Sequence, residues 1–238
     1  MSGSVKRIGA ILIKELQEFK SNMNVLVMYL IPVMIFAIFK GLINDMPASF
    51  TISFSLVMLV GEVCVFVPAM LIAEEKEKKT LNVLMISPAR PFEVFAGKGL
   101  ITFLTVMLTA VALSLSAGAD LQHMPVILVG TSLITIVCTL FGMIIGLFAQ
   151  NQMATGMIGL PIILPFIMMP YLTIMGNDTI IKIAHIIPTY YYFRMIDLGI
   201  GQQKGLGDML TYIGALAVSA LISFGLLLVI YRKRGLES

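Results

Sequence analysis

The sequence predicts an all-α polytopic membrane protein, and three observations carry that prediction. Hydrophobic residues make up 58% of the 238-residue chain and charged residues only 12%, with a mean hydropathy of +0.98. The apolar residues fall in continuous runs, and about 20 of them in a helix cross roughly 30 Å of hydrocarbon. The runs lack the period-2 alternation of a transmembrane barrel, which leaves helices as the way to pair backbone groups in lipid.

Six segments qualify as spans: about 23–43, 50–73, 99–118, 124–148, 153–175 and 209–231. The first starts late, carries Pro32 and lacks a small-residue cleavage pattern, so a cleaved signal peptide is not expected. Ahead of it, Ile8, Ile11, Leu12, Leu16 and Phe19 recur at helical spacing, with Lys6, Arg7, Lys14, Gln17, Glu18 and Lys20 on the other face. That pattern predicts an amphipathic interfacial helix. The expected division is therefore an interfacial helix over 1–22 and a six-helix transmembrane domain over 23–238.

The spans differ in how they should pack. Gly142 and Gly146 stand four apart in the fourth and permit close helix approach. The fifth carries Gly156, Gly159, Pro161, Pro165 and Pro170. Each proline removes a backbone donor, so this span is expected to be bent or broken. The chain's 18 methionines read as adaptable packing rather than a metal route.

Charge distribution sets the orientation. With the N-terminus inside, twelve basic residues face the cytoplasm: Lys6, Arg7, Lys14, Lys20, Lys76, Lys78, Lys79, Arg90, Lys98, Arg232, Lys233 and Arg234. The remaining four of the 16, Lys40, Lys182, Arg194 and Lys204, lie outside. The bias predicts a multi-pass protein with both termini cytoplasmic.

Few residues invite site chemistry. Cys64 and Cys138 fall inside spans and suggest packing rather than a disulfide. His123 and His185 stand alone, so no metal site is expected. Glu62 is the one acid deep in a span, where a charge costs on the order of 3 kcal/mol by insertion scales. It either meets substrate or ions on a path or hydrogen-bonds a neighbouring helix. Between spans 5 and 6, Gly176 to Asp208 holds an apolar stretch too short to cross, then Pro188 and Tyr190-Tyr191-Tyr192. A re-entrant or interfacial piece fits, with the tyrosines as headgroup-level anchors or as an exit lining. Gly205-Leu206-Gly207-Asp208 resembles half of an aspartyl protease site, but no span contains the second Asp that such a dyad needs.

The strongest functional signal is the charged loop from Glu74 to Lys98, EEKEKKTLNVLMISPARPFEVFAGK. Glu74 to Lys79 should continue the second span as a charged, solvated helix. Thr80, Leu81, Val83, Leu84, Met85 and Ile86 should then form a short amphipathic helix ended by Ser87-Pro88, a pattern suited to docking a partner or to resting on the membrane interface. Pro91 should begin the next helix, with Glu93 in its first turn.

This loop resembles the signature between the second and third spans of type-2 ABC exporter permeases. Glu74, Glu75, Thr80, Leu81, Leu84, Pro88, Gly97 and Lys98 match, as do Lys14-Glu15-Leu16, the six spans, and Pro188 with the tyrosines. Lys79 and Asn82 depart from the Gly and Glu common in that family. The resemblance implies a permease that dimerises, with itself or a second permease, in the cell membrane. It also implies a separate ABC ATPase docking through a coupling helix, with Glu74, Glu75, Thr80, Leu81, Leu84, Met85 and Pro88 as coupling residues.

No catalytic residue or cofactor is expected in this chain. It has no G-x-x-x-x-G-K-[ST] string, so ATP and Mg should be bound by the partner. The implied function is outward transport of a drug-like, lipid-like or small peptide substrate, with membrane lipid and no nucleic acid as further surroundings. Glu62, Pro161, Pro165, Tyr190 and Tyr191 are the residues expected along its path. The alternative is an ATP-independent secondary transporter or ion channel using Glu62. Only the first reading needs a partner ATPase.

Overall fold

The computed structural model describes residues 9, 12–14, 16–17, 22–42, 47–78, 91–202 and 204–234. No strand occurs among them, and six helices are long and apolar enough to cross a membrane. Span 1 is Met23–Leu42. Span 2 is built from Ala48–Met58, a π turn at Leu59–Val63, and Cys64–Glu77. Spans 3, 4, 5 and 6 are Pro91–Ser116, Met124–Phe148, Gln152–Leu172 and Leu210–Arg234.

Span 2 is the centre of the bundle. Of its most hydropathic stretch 89% is buried within the chain, against 17% for spans 1 and 6. A helix apolar all round belongs in such a position, whereas the outer spans keep apolar faces for lipid or partners. Span 4 lies tightest against it. A Cβ on Gly142 would stand 2.3 Å from the Val65 carbonyl oxygen, and one on Gly146 would stand 2.8 Å from Ile72 Cβ. The two glycines thus do what their spacing predicts, letting backbones approach where any side chain would hold them apart.

Two expectations about the spans change. Span 5 is neither broken nor interrupted, for its helix runs through Pro161, Pro165 and Pro170 from Gln152 to Leu172. A proline costs a helix one backbone bond, which the remaining bonds of the span can tolerate. The irregularity lies in span 2 instead. Pro68 withdraws the donor that the Cys64 carbonyl would receive in a regular α-helix, and the π turn ends immediately before Cys64. The buried Gly61 within that turn faces Ile167 of span 5.

Between spans 5 and 6 the chain forms two short helices, Asp178–Ala184 and Pro188–Ile196, and a second π turn at Asp197–Gly201. The second helix enters the bundle. Tyr192 is fully buried and its hydroxyl pairs with Thr131 of span 4 at 2.8 Å, while Thr189 donates to the Phe166 carbonyl of span 5. Thr131 lies seven residues into its helix, about 10 Å from that end at 1.5 Å per residue. The segment is therefore packed into the bundle rather than laid along its rim. Tyr190 and Tyr192 are buried within the protein.

Candidate functional site

The charged run at the end of span 2 is solvated only in part, for Glu77 and Lys78 are exposed whereas Glu75 is buried. Its consecutive side chains reach different parts of the protein. Glu74 accepts from the Asn22 side-chain amide at 2.8 Å, just before span 1, and from Lys78 one turn on at 2.5 Å. Glu75, only 4% exposed, accepts from Lys14 of the N-terminal segment at 2.6 Å and from Lys98 of span 3 at 3.3 Å. Lys76 donates to the carbonyls of Leu147 and Ala149, where span 4 ends, at 2.6 and 2.9 Å. Glu77 accepts the backbone N–H of Gln152, where span 5 begins, at 3.2 Å.

Each contact follows from elementary electrostatics. The last carbonyls of span 4 have no helical partner and carry the negative end of its dipole, so an ammonium suits them. The first N–H groups of span 5 present the positive end and suit a carboxylate, while the Asn151 side chain caps Ala154 at 2.9 Å. Glu75 and Lys98 are both removed from water, and each charge is tolerable there because the other lies beside it. The five residues Glu74–Lys78 thereby tie the end of span 2 to the N-terminal segment and to spans 3, 4 and 5. A sequence reading sees mixed charges at a helix end; it does not see that a neighbour's terminus lies opposite each one.

The span 3 helix begins at Pro91, as its sequence signals predict, with Glu93 and Lys98 buried in its first turns. Thr80, Leu81, Leu84, Met85 and Pro88, the other expected coupling residues, lie outside the described residues. Of the N-terminal helix, residues 9, 12–14 and 16–17 are described and helical. Leu12 packs against the core and Lys14 reaches Glu75.

Glu62 sits in the π turn of span 2 and is 7% exposed. It makes no hydrogen bond or ion pair with any described residue. The option of a bond to a neighbouring helix therefore drops out among those residues. The other expected path residues are dispersed. Pro161 is exposed on span 5 and Pro165 half-buried. Tyr190 and Tyr191 pack against His185, with ring centroids 4.9 and 6.0 Å away, and Tyr191 donates to the His185 carbonyl at 2.9 Å. No hydrogen bond joins Glu62 to any of these four.

Sequence reasoning passed over the polar interior between spans 2 and 4. Cys64 and Cys138 are both free thiols, and Cys64 lies 3.7 Å from Thr135 Oγ1. Above them, the fully buried Tyr192 phenol is hydrogen-bonded to Thr131 at 2.8 Å. The available signal was Gly130 opposite the tyrosine triplet. A Cβ there would lie 3.2 Å from the Tyr192 ring.

Six candidate spans, a charged hub at one end of the central span and a short helix inserted into the bundle at the other set the architecture. A family model described as ABC-2 family transporter protein matches residues 11–229, nearly the whole chain. The chain belongs to that family. No curated protein matches it. An ABC-2 permease is a multi-pass membrane subunit of an ABC transporter, works with an ATPase partner and is not itself catalytic. The resemblance carried by the Glu74–Lys98 loop is thus supported by a match that spans all six helices.

Proposed function

We propose that this ABC-2 permease is the transmembrane subunit of an ATP-driven exporter in the cell membrane, both termini cytoplasmic, moving a drug-like, lipid-like or small peptide substrate outward. Its ATPase is a separate chain that binds ATP and Mg and docks on the segment between spans 2 and 3. The observation that carries the reading is the hub at Glu74–Lys78. Whatever pushes on residues 79–90 meets a helix end fastened to Lys14, Lys98, the end of span 4 and the start of span 5. Motion delivered there is shared among spans rather than absorbed by one loop.

A second permease copy completes the assembly. Met153, Met157, Leu160, Leu164 and Met168 of span 5 are exposed at helical spacing, and such an apolar stripe supports helix packing against a partner. Pro161 shares this exposed side, which favours a path formed between two permeases over one inside a single chain.

The docking surface is tested by replacing Leu81 and Leu84 with Ser together. Burying one Leu contributes roughly 1.5–3 kcal/mol, and a tenfold affinity loss needs only about 1.4 kcal/mol. The double variant should lose co-purification of the ATPase and substrate-stimulated hydrolysis while still inserting into membranes. Retention of both at wild-type level removes the coupling assignment. One observation favours a second reading, ATP-independent transport through Glu62: this buried carboxyl has no partner among the described residues. Transport that persists without the ATPase would select it.

A further inference from the structure

We propose that a pocket between spans 3, 4 and 6 binds a hydrophobic, drug-sized molecule through one hydrogen-bond acceptor, with Thr139 as the donor. The pocket has a volume of about 390 Å³, within the roughly 300–1,000 Å³ of ligand sites. Phe95, Phe103, Met143, Phe224 and Tyr231 are among its walls, and no charged side chain among the described residues lines it. From Phe95 to Phe103 the wall runs eight residues, about 12 Å, the length of a two- or three-ring molecule. The Phe95 and Tyr231 rings meet edge to face with centroids 5.5 Å apart at the charged end of the bundle. Leu100, Ile136, Phe224 and Leu228 are each 38–43% exposed, so the mouth opens sideways onto the outer face. Entry is thus from the hydrocarbon, not from water.

Thr139 decides the chemistry. It is 6% exposed, lines the pocket, and its hydroxyl has no hydrogen-bond partner among the described residues. Its neighbours behave otherwise. Thr102, Thr105 and Thr109 of span 3 and Ser132 of span 4 each donate to the carbonyl four residues back. Such back-bonding is how a lone hydroxyl is satisfied inside a membrane helix. Thr139 lies nine residues from Phe148, about 14 Å inside its helix, where an unmade hydrogen bond is unfavourable. A ligand carbonyl or ether oxygen supplies the missing acceptor, whereas a lipid acyl chain offers none. That this molecule is cargo at its first station rests on the exporter reading; the binding itself does not.

The test uses the permease alone, in lipid nanodiscs, and equilibrium dialysis with two probes of one shape. Fluorenone carries a carbonyl and fluorene does not. Wild type should bind fluorenone about tenfold more tightly, equivalent to about 1.4 kcal/mol. Thr139→Val should erase that preference and leave fluorene within about twofold, since valine keeps the shape and removes the hydroxyl. Leu228→Trp, which fills the mouth, should weaken both probes at least about tenfold, and it carries the test if the valine variant fails to fold. The proposal is overturned by equal affinities in wild type, as a pocket suited only to acyl chains would give. It is also overturned by no binding at all, as a second permease covering the mouth would give, or by a preference that survives Thr139→Val. An ATPase that fails to co-purify would sink the exporter reading and leave these affinities unchanged.

Discussion

Replacing Lys76 with Met and, separately, Lys78 with Met tests whether the end of span 2 is a hub or merely a charged helix end. The two lysines are two residues apart and look equivalent in sequence, yet their surroundings differ. Lys78 has a side chain 58% exposed and pairs with Glu74 one turn back. Such a pair contributes about 0.3–0.5 kcal/mol. Lys76 is half-buried and donates to two orphan carbonyls at 2.6 and 2.9 Å. A hydrogen bond with a charged partner contributes about 1.5–3 kcal/mol. Water can re-solvate part of a helix end near the surface, so the loss expected for Lys76→Met is about 2–3 kcal/mol. For a chain of this size each kcal/mol shifts Tm by about 2–4 °C. Thermal unfolding in detergent should therefore fall by about 5–10 °C for Lys76→Met and by no more than about 2 °C for Lys78→Met. Partner-dependent ATPase activity, measured below both transitions, should drop in the first variant and persist in the second. Equal shifts in the two variants would show that the Lys76 contacts contribute nothing special and that the hub argument fails.

Two other outcomes follow from the packing. Gly142→Ala should lower the unfolding midpoint by more than about 4 °C, because its Cβ would lie 2.3 Å from a backbone oxygen that cannot step aside. Gly225→Ala, with nothing within 4 Å, should leave the midpoint unchanged or slightly raised; similar losses at both sites would mean that close approach to span 2 is not what Gly142 supplies. Glu62→Gln should preserve assembly and stability, since no described residue pairs with the carboxylate, while changing which compounds are transported or their apparent affinity. Unchanged transport with a lower midpoint would return Glu62 to a structural role.

The spans were legible because lipid imposes one requirement on every residue of a segment, and composition alone reports it. Run length located all six helices to within a few residues, apart from the start of span 3. That helix extends back to Pro91 because the buried Glu93 and Lys98 belong to it despite their charge. The Gly142–Gly146 spacing correctly announced close packing, since absence of a side chain acts the same way whatever the partner. The prolines of span 5 do not break it, because a missing donor removes one backbone bond and leaves the others of the helix in place. The real irregularity, the π turn holding Glu62, lies in a span whose single Pro68 drew no notice.

By itself, the sequence determined the fold class, the six spans, the place of the charged loop and the family that loop resembles, because hydropathy and motif are local properties of the chain. Tertiary structure alone decided which charges are buried and what they hold. Glu75 and Lys98 stand 23 positions apart and Lys14 another 61 away from Glu75, so nothing in their spacing pairs them. Tyr190, Tyr191 and Tyr192 are adjacent in the chain, yet one of them is sealed against span 4 and another remains half-exposed. Thr139 resembles every other hydroxyl in the spans until the pocket beside it is seen. A polar group's role depends on what lies within about 3 Å of it, and in a helix bundle those neighbours come from other spans.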